Sequence, residues 1–248
     1  MIRAVTFDCW GTLLTDRDYT CVSSTRVRAL AEHSGGKLTV ADARELLDRA
    51  WRTHYDSWVS GCHYGSEGMA DFCVRELGGP EELSATLCAA FEDAAQEGDV
   101  EALPGAVESL KLLREAGIRT ALVCDTGFTP GRVVRRFMEQ LGLAGHLEFY
   151  AFSNEVGVPK PDRRMFLAAL DGLAVSPAEA VHVGDLLRTD VTGARGAGMK
   201  TVRITALRGS GSPIFAKSES DDAGDEADEV VSTHWELPDA LRRLGVAV

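Results

Sequence analysis

The sequence predicts an α/β protein: a doubly wound, Rossmann-like parallel sheet with an all-helical cap domain inserted after its first strand. Three observations carry this. Short apolar runs alternate with helical periodicity from about residue 99 to 204. A separate apolar run, IRAVTF, opens the chain at residues 2–7. Between the two lies a block, about 17–98, whose pattern is helical throughout.

The elements follow in order. IRAVTF reads as a buried strand ending at Asp8. In the helical block, Trp51, Tyr55 and Trp58 stand at i, i+4 and i+7, one face of a helix, and are expected to form an aromatic seam. Gly61, Gly65 and Gly68 loosen the next connection before MADFCVREL resumes helix. ALPGAVESLKLLREAG is a turn and helix, with Pro104 in its first turn and Gly117 as C-terminal cap. IRTALVC (118–124) is a strand, and FTPGRVVRRFMEQLG a helix capped by Thr129 with Pro130 at its first position. LEFYAF (147–152) is a strand and PDRRMFLAALDGL a helix. Ser176 and Glu179 stand at capping-box spacing. AVHVGD (180–185), VTGARGAG and KTVRI (200–204) complete the rhythm as strand, helix and strand. Residues 208–229, rich in Ser, Gly and acid, are expected to be a solvated loop. The expected division is a core of residues 1–15 and 99–248 with a cap of 16–98.

Bulk properties exclude several functions. The formal net charge of -12 is wrong for a nucleic-acid partner, whose phosphates require a basic surface. The six cysteines form no C-x-x-C, which gives no support to a zinc site or redox dithiol. No apolar run is long enough to span a bilayer, and Asp8 interrupts the apolar start where a signal peptide would continue. A cytoplasmic setting is expected. The oligomeric state is left open.

Ligands of an open parallel sheet bind outside the carboxyl ends of its strands. Four predicted strands deliver polar groups there: Asp8; Cys124, Asp125 and Thr126; Lys160, just after the third; and Asp185, with Asp190 five residues on. Carboxylates crowded around one lysine repel unless a cation joins them. All-oxygen ligands suit magnesium. An ion plus Lys160 would make a positive pocket for a phosphate in an acidic protein, with Asp8 placed to attack phosphorus. Thr12 stands in the turn after Asp8 and could instead satisfy turn backbone groups.

FDCWGTLL, the strand end at Cys124–Thr126, the VPKPD lysine and VHVGDLLRTD resemble the four signature motifs of the haloacid dehalogenase-like (HAD) hydrolase superfamily. The insert resembles that family's helical cap. The resemblance implies Asp8 as nucleophile and magnesium ligand, with the Trp10 carbonyl and Asp185 as further ligands. It implies Lys160, positioned by Asp190, as the neutralising cation, and Thr12, Cys124, Asp125 and Thr126 around a small phosphorylated substrate. It departs from the family's phosphatases at Trp10, where a second aspartate usually acts as general acid, and at Cys124, where serine or threonine is usual. Indole does not titrate usefully. The expectation is a magnesium-dependent phosphatase favouring good leaving groups, unless His54, His63 or Tyr55 supplies a proton. Arg132, Arg163 and Arg188 are candidates to touch an anionic substrate tail. Two alternatives stand beside it. One is a metal-free 2-haloacid dehalogenase, which the aromatic Trp10 resembles, while Asp185 and Phe166 depart from that subfamily's pattern. The other is a catalytically weak phospho-ligand-binding protein.

Overall fold

The computed structural model describes residues 1–207 and 226–248. Its described strands and helices are, in chain order, β1 (Ala4–Phe7), β2 (Leu14–Asp16), α1 (Tyr19–His33), α2 (Val40–Val59), α3 (Gly65–Leu77), α4 (Glu82–Asp93), β3 (Val100–Ala102), α5 (Ala106–Glu115), β4 (Arg119–Cys124), α6 (Gly131–Gln140), β5 (Phe149–Phe152), α7 (Ser153–Val156), α8 (Arg163–Gly172), β6 (Ala180–Gly184), α9 (Thr192–Gly196), β7 (Lys200–Ile204), β8 (Glu229–Val231) and α10 (Leu237–Arg243). Six strands form one parallel sheet in the order β5-β4-β1-β6-β7-β8. β2 and β3 pair separately.

The order explains why the chemistry gathers where it does. β1 lies between β4 and β6, so the chain winds to one side of β1 and then to the other. Crevices in such sheets open where the winding reverses, at the carboxyl ends of the strands. The register sets Phe7 level with Leu122 on β4 and with Val183 on β6. Residues just beyond these three partners therefore emerge at one edge. The strands of this edge are almost wholly apolar and buried on both faces, as a covered parallel sheet requires.

Two compact units divide the chain: residues 1–15, 101–125 and 138–248, and residues 16–100 and 126–137. The second takes in 126–137, which the sequence reading gave to the core. The reason is local. Phe128 stacks on Trp51 at 5.6 Å, meets Phe91 edge-on at 5.6 Å and lies in the apolar cluster of α1–α4. Arg132 bonds Glu92 and Asp93 at the end of α4.

Within the helical unit the caps are explicit. Asp18 accepts from Thr20 N–H to start α1, and Thr39 and Asp42 form a full capping box on α2. Trp51 is exposed, whereas His54, one turn later, is buried. The expected aromatic seam is thus split: Tyr55 pairs with Trp58, and Trp51 turns to Phe128. In the sheet unit, the Ser176–Glu179 capping box forms, but on a short 3₁₀ turn. α5 starts two residues after Pro104, behind Gly105. The predicted VTGARGAG helix is shorter than its pattern, and a π-helical turn, Leu187–Val191, precedes it. Of the acidic stretch, 208–225 lies outside the described residues. Its end is held: Asp228 accepts from the Thr201 backbone N–H at 2.7 Å. No described helix is long and apolar enough to cross a membrane.

Candidate active site

The turn after β1 presents Asp8. Cys9 carbonyl accepts from both Leu13 and Leu14 N–H, and Gly11 N–H bonds back to Leu14 O at 2.8 Å. Closing so tight a turn takes Gly11 to φ 82°, a left-handed conformation that favours glycine. His234, from the segment before α10, donates Nε2–H to Thr12 O at 2.7 Å; a carbonyl only accepts, so Nε2 carries the proton. Thr12 Oγ1 is buried and has no hydrogen-bond partner among the described residues.

Lys160 follows α7 and reaches Asp8 Oδ1 at 2.5 Å and Asp190 Oδ1 at 2.7 Å. All three residues are buried. Its own backbone N–H donates to Asp125 Oδ1 at 2.9 Å, so the end of β4 fixes the lysine's loop. Asp190 is heavily subscribed. His182 Nε2 lies 3.2 Å from Oδ1, and Leu186 N–H and Thr189 Oγ1–H donate to Oδ2 at 3.1 and 3.3 Å. Gly184 makes room for it: a Cβ there would fall 2.4 Å from Asp190 Cβ and Cγ.

Asp8, Asp185 and Asp190 each offer a carboxylate oxygen within 4.8 Å of the others. Burial, opposed by Lys160 and aided by Asp190, raises the Asp8 carboxyl to about 6. Burial and the charges of Asp8 and Asp190 push Asp185 well above the usual carboxylate range. At Asp190 burial also pushes upward, but Lys160 and the His182 hydrogen bond outweigh it and hold the acid well below its usual range. Burial opposes the Lys160 charge, yet Asp190 and Asp8 hold the ammonium more firmly protonated than usual. Three carboxylates and one ammonium leave negative charge in excess. Asp190 has both oxygens engaged. Asp8 and Asp185 are therefore the carboxylates whose chemistry suits a hard cation.

Cys124 is fully buried, donates Sγ–H to Asp125 O at 3.3 Å and hydrogen-bonds the Cys9 thiol. Thr126 is buried and belongs to the helical unit. Arg132 is engaged with two acids of α4, and Arg163 is exposed. Phe166 lies in the core, edge-on to His182 at 5.0 Å. His54 Nδ1 accepts from Gly65 N–H at 3.3 Å, and burial with the nearby His63 lowers it to about 4. It is neutral at physiological pH and donates only through Nε2–H. Sequence reasoning missed Thr6, His182 and His234, and took Gly184 only as the strand end before Asp185, not as the space for Asp190. The available signal was a histidine amid the valines of a predicted buried strand, since buried polar groups need partners.

Comparisons with known proteins bear on the family. The profile of a hydrolase family, the haloacid dehalogenase-like hydrolases, matches residues 2–198. The chain is 33% identical over 178 residues to a glyceraldehyde 3-phosphate phosphatase of Methanopyrus kandleri, covering 70% of this chain and 71% of that protein. It is 36% identical over 131 residues to a phosphoserine phosphatase of Thermus thermophilus, covering 53% of this chain and 51% of that one. A HAD phosphatase structure from Thermococcus onnurineus shares the fold at TM-score 0.66 and 24% identity, covering 99% of both chains. A 2-haloacid dehalogenase from Pseudomonas syringae does so at TM-score 0.69 and 22% identity, covering 99% of this chain and 100% of that one. The sheet order, the buried acid–lysine cluster and a profile match over most of the chain lead to one assignment: this enzyme belongs to the haloacid dehalogenase-like hydrolases.

Proposed function

We propose that the chain is a magnesium-dependent phosphomonoester hydrolase that acts on a small phosphorylated metabolite and favours good leaving groups. The observation that carries the reading is Lys160 Nζ set between Asp8 and Asp190, with Asp185 in the same cluster. The phosphatase names of relatives from Methanopyrus kandleri and Thermus thermophilus support the phosphoryl substrate.

Asp8 is the nucleophile. Its carboxylate forms a bond to phosphorus as the bond to the leaving oxygen breaks. Water then attacks phosphorus and returns Asp8 free. Lys160 balances charge on Asp8 and on the phosphoryl oxygens, and Asp190 keeps it in place. Asp8, Asp185 and the Trp10 carbonyl would hold the ion, which supplies positive charge beside the phosphoryl group when bound. The Thr12 hydroxyl, without a partner among the described residues, and the backbone at Asp125 are the proposed phosphoryl contacts. Cys124 is assigned no such role, because its thiol turns to Asp125 O and Cys9. Residues 16–98 are the proposed cap. The setting is the cytoplasm, on the cysteine pattern alone.

Trp10 gives the preference for leaving groups. General acid catalysis is worth about 10²–10⁴ in rate, or about 3–5 kcal/mol of barrier. His54, neutral and bound through Nδ1, does not replace it. The experiment is turnover of an aryl and an alkyl phosphate, with magnesium and with chelator, for wild type and Asp8→Asn. Expected are magnesium-dependent aryl turnover, alkyl turnover slower by about 10² or more, and neither in Asp8→Asn. Equal rates on the two esters would refute the leaving-group preference. Halide release from a 2-haloacid that survives chelator would replace the phosphatase reading.

A further inference from the structure

Beneath the nucleophile, on the same strands, lies a second polar pair that the reaction above does not use. Thr6 on β1 and His182 on β6 are register partners, and both are buried. Thr6 Oγ1 lies 2.8 Å from His182 Nδ1. His182 Nε2 lies 3.2 Å from Asp190 Oδ1, the oxygen that also holds Lys160. A continuous buried line thus runs Thr6–His182–Asp190–Lys160–Asp8. Polar groups interrupt a strand that is otherwise Ala, Val and Gly. Burying them is costly unless each is paired.

We propose that Thr6 and His182 are positioning residues, which set the orientation of the Asp190 carboxylate and through it the place of Lys160 against Asp8. The direction of each hydrogen bond follows from its neighbours. Nε2 faces a carboxylate, which only accepts, so Nε2 bears the proton. In the neutral imidazole Nδ1 is then an acceptor, and the Thr6 hydroxyl donates to it. The Phe166 ring, edge-on at 5.0 Å and perpendicular, limits rotation of the imidazole. Without the Thr6 hydroxyl, Nδ1 is left a buried acceptor with no donor from β1. The Asp190 carboxylate still keeps the proton on Nε2, but the imidazole is then held at one ring nitrogen and fixes the carboxylate less firmly. Outer partners of this kind commonly alter activity without touching substrate.

The inference rests on the phosphatase reading for its kinetic arm only; its spectroscopic arm stands apart from any substrate. A two-bond ¹H–¹⁵N correlation spectrum of the wild-type protein, assigned with His182→Gln, is expected to show His182 with its proton on Nε2 alone. Thr6→Val, which keeps the shape and removes the hydroxyl, is expected to shift the His182 Nδ1 resonance and lower kcat on an aryl phosphate about 10-fold with little change in KM. Thr6→Ser is expected to restore both the spectrum and the rate. A wild-type His182 protonated on Nδ1, singly or doubly, overturns the proposal even if no variant folds. So does Thr6→Val at wild-type kcat, or a spectrum that does not respond to it. Loss of turnover in every variant, wild type included, with the tautomer as expected would refute the phosphatase reading and leave the positioning line standing.

Discussion

Each unit sets a basic side chain between two carboxylates, and the two arrangements have opposite consequences. In the sheet unit Lys160 bonds Asp8 and Asp190 with its side chain 3% exposed. In the helical unit Arg132 bonds Glu92 and Asp93 with its side chain 43% exposed. The chemistry is alike; the surroundings differ. Water screens the arginine's charges, so its pairs hold the 126–137 segment only weakly. Around Lys160 little water is left to screen anything. Each charge there depends on the others, and Asp8 and Asp185 are left with acidities far from ordinary. Burial turns a surface tie into a site that can react.

The sharpest way to break this contrast is Lys160→Met, which keeps the bulk and removes the charge. Asp8 and Asp190 are then left buried without their cation. Removing one partner of a buried pair costs about 3–5 kcal/mol, read as a lowered urea midpoint. Turnover is expected to fall by at least about 10³-fold, the scale on which catalytic groups acting as a unit are lost. The stability loss should shrink as acidification protonates the carboxylates, since neutral acids need no cation. A variant as stable as wild type at neutral pH would mean that the cluster is far wetter than its burial implies.

The helical unit has a buried titrating group of its own, which sharpens the comparison on the acid side. His54 moves from 6.5 to about 4 because burial and His63 disfavour its charged form. Its folded value is depressed, so the unfolded chain binds the extra proton first. His54 therefore contributes stability fully above about 6.5, and loses it as pH falls toward about 4. Over that window the effect is up to about 3 kcal/mol. Unfolding in urea at pH 7.5 and at pH 5 should show it, and His54→Gln should flatten the difference. An unchanged pH dependence in that variant would assign the acid sensitivity to other groups.

The sequence carried the frame of the site because strand ends can be read from apolar runs. Asp8 and Asp185 each directly follow a short hydrophobic run, Lys160 comes in the segment beyond a third, and the sheet order brings those strand ends to one edge. What pattern cannot carry is which way a side chain turns. Cys124 ends β4 as expected, yet its thiol turns into Cys9 and Asp125 O. Phe128 follows a sheet strand in sequence but packs with Trp51 and Phe91, carrying its segment into the helical unit. His182 looks like one polar residue in a valine strand until register sets it beside Thr6. These are tertiary facts, decided by partners far away in the chain.

Arg132→Ala is the mildest test and bears on the weaker arm of the comparison. It removes both ion pairs to α4 and leaves Phe128 against Trp51 and Phe91. If apolar packing holds residues 126–137 to the helices, the variant should lose less than about 1 kcal/mol, the usual range for exposed pairs. Raised salt should then have as little effect on the wild type, because screening removes the same contribution. Phe128→Ala, by contrast, should cost about 3–5 kcal/mol, as large aromatic truncations in a packed cluster do. Amide exchange across 126–137 separates the two: fast exchange in Phe128→Ala with slow exchange in Arg132→Ala is expected. The reverse order would make the arginine, exposed as it is, the group that holds this segment in place.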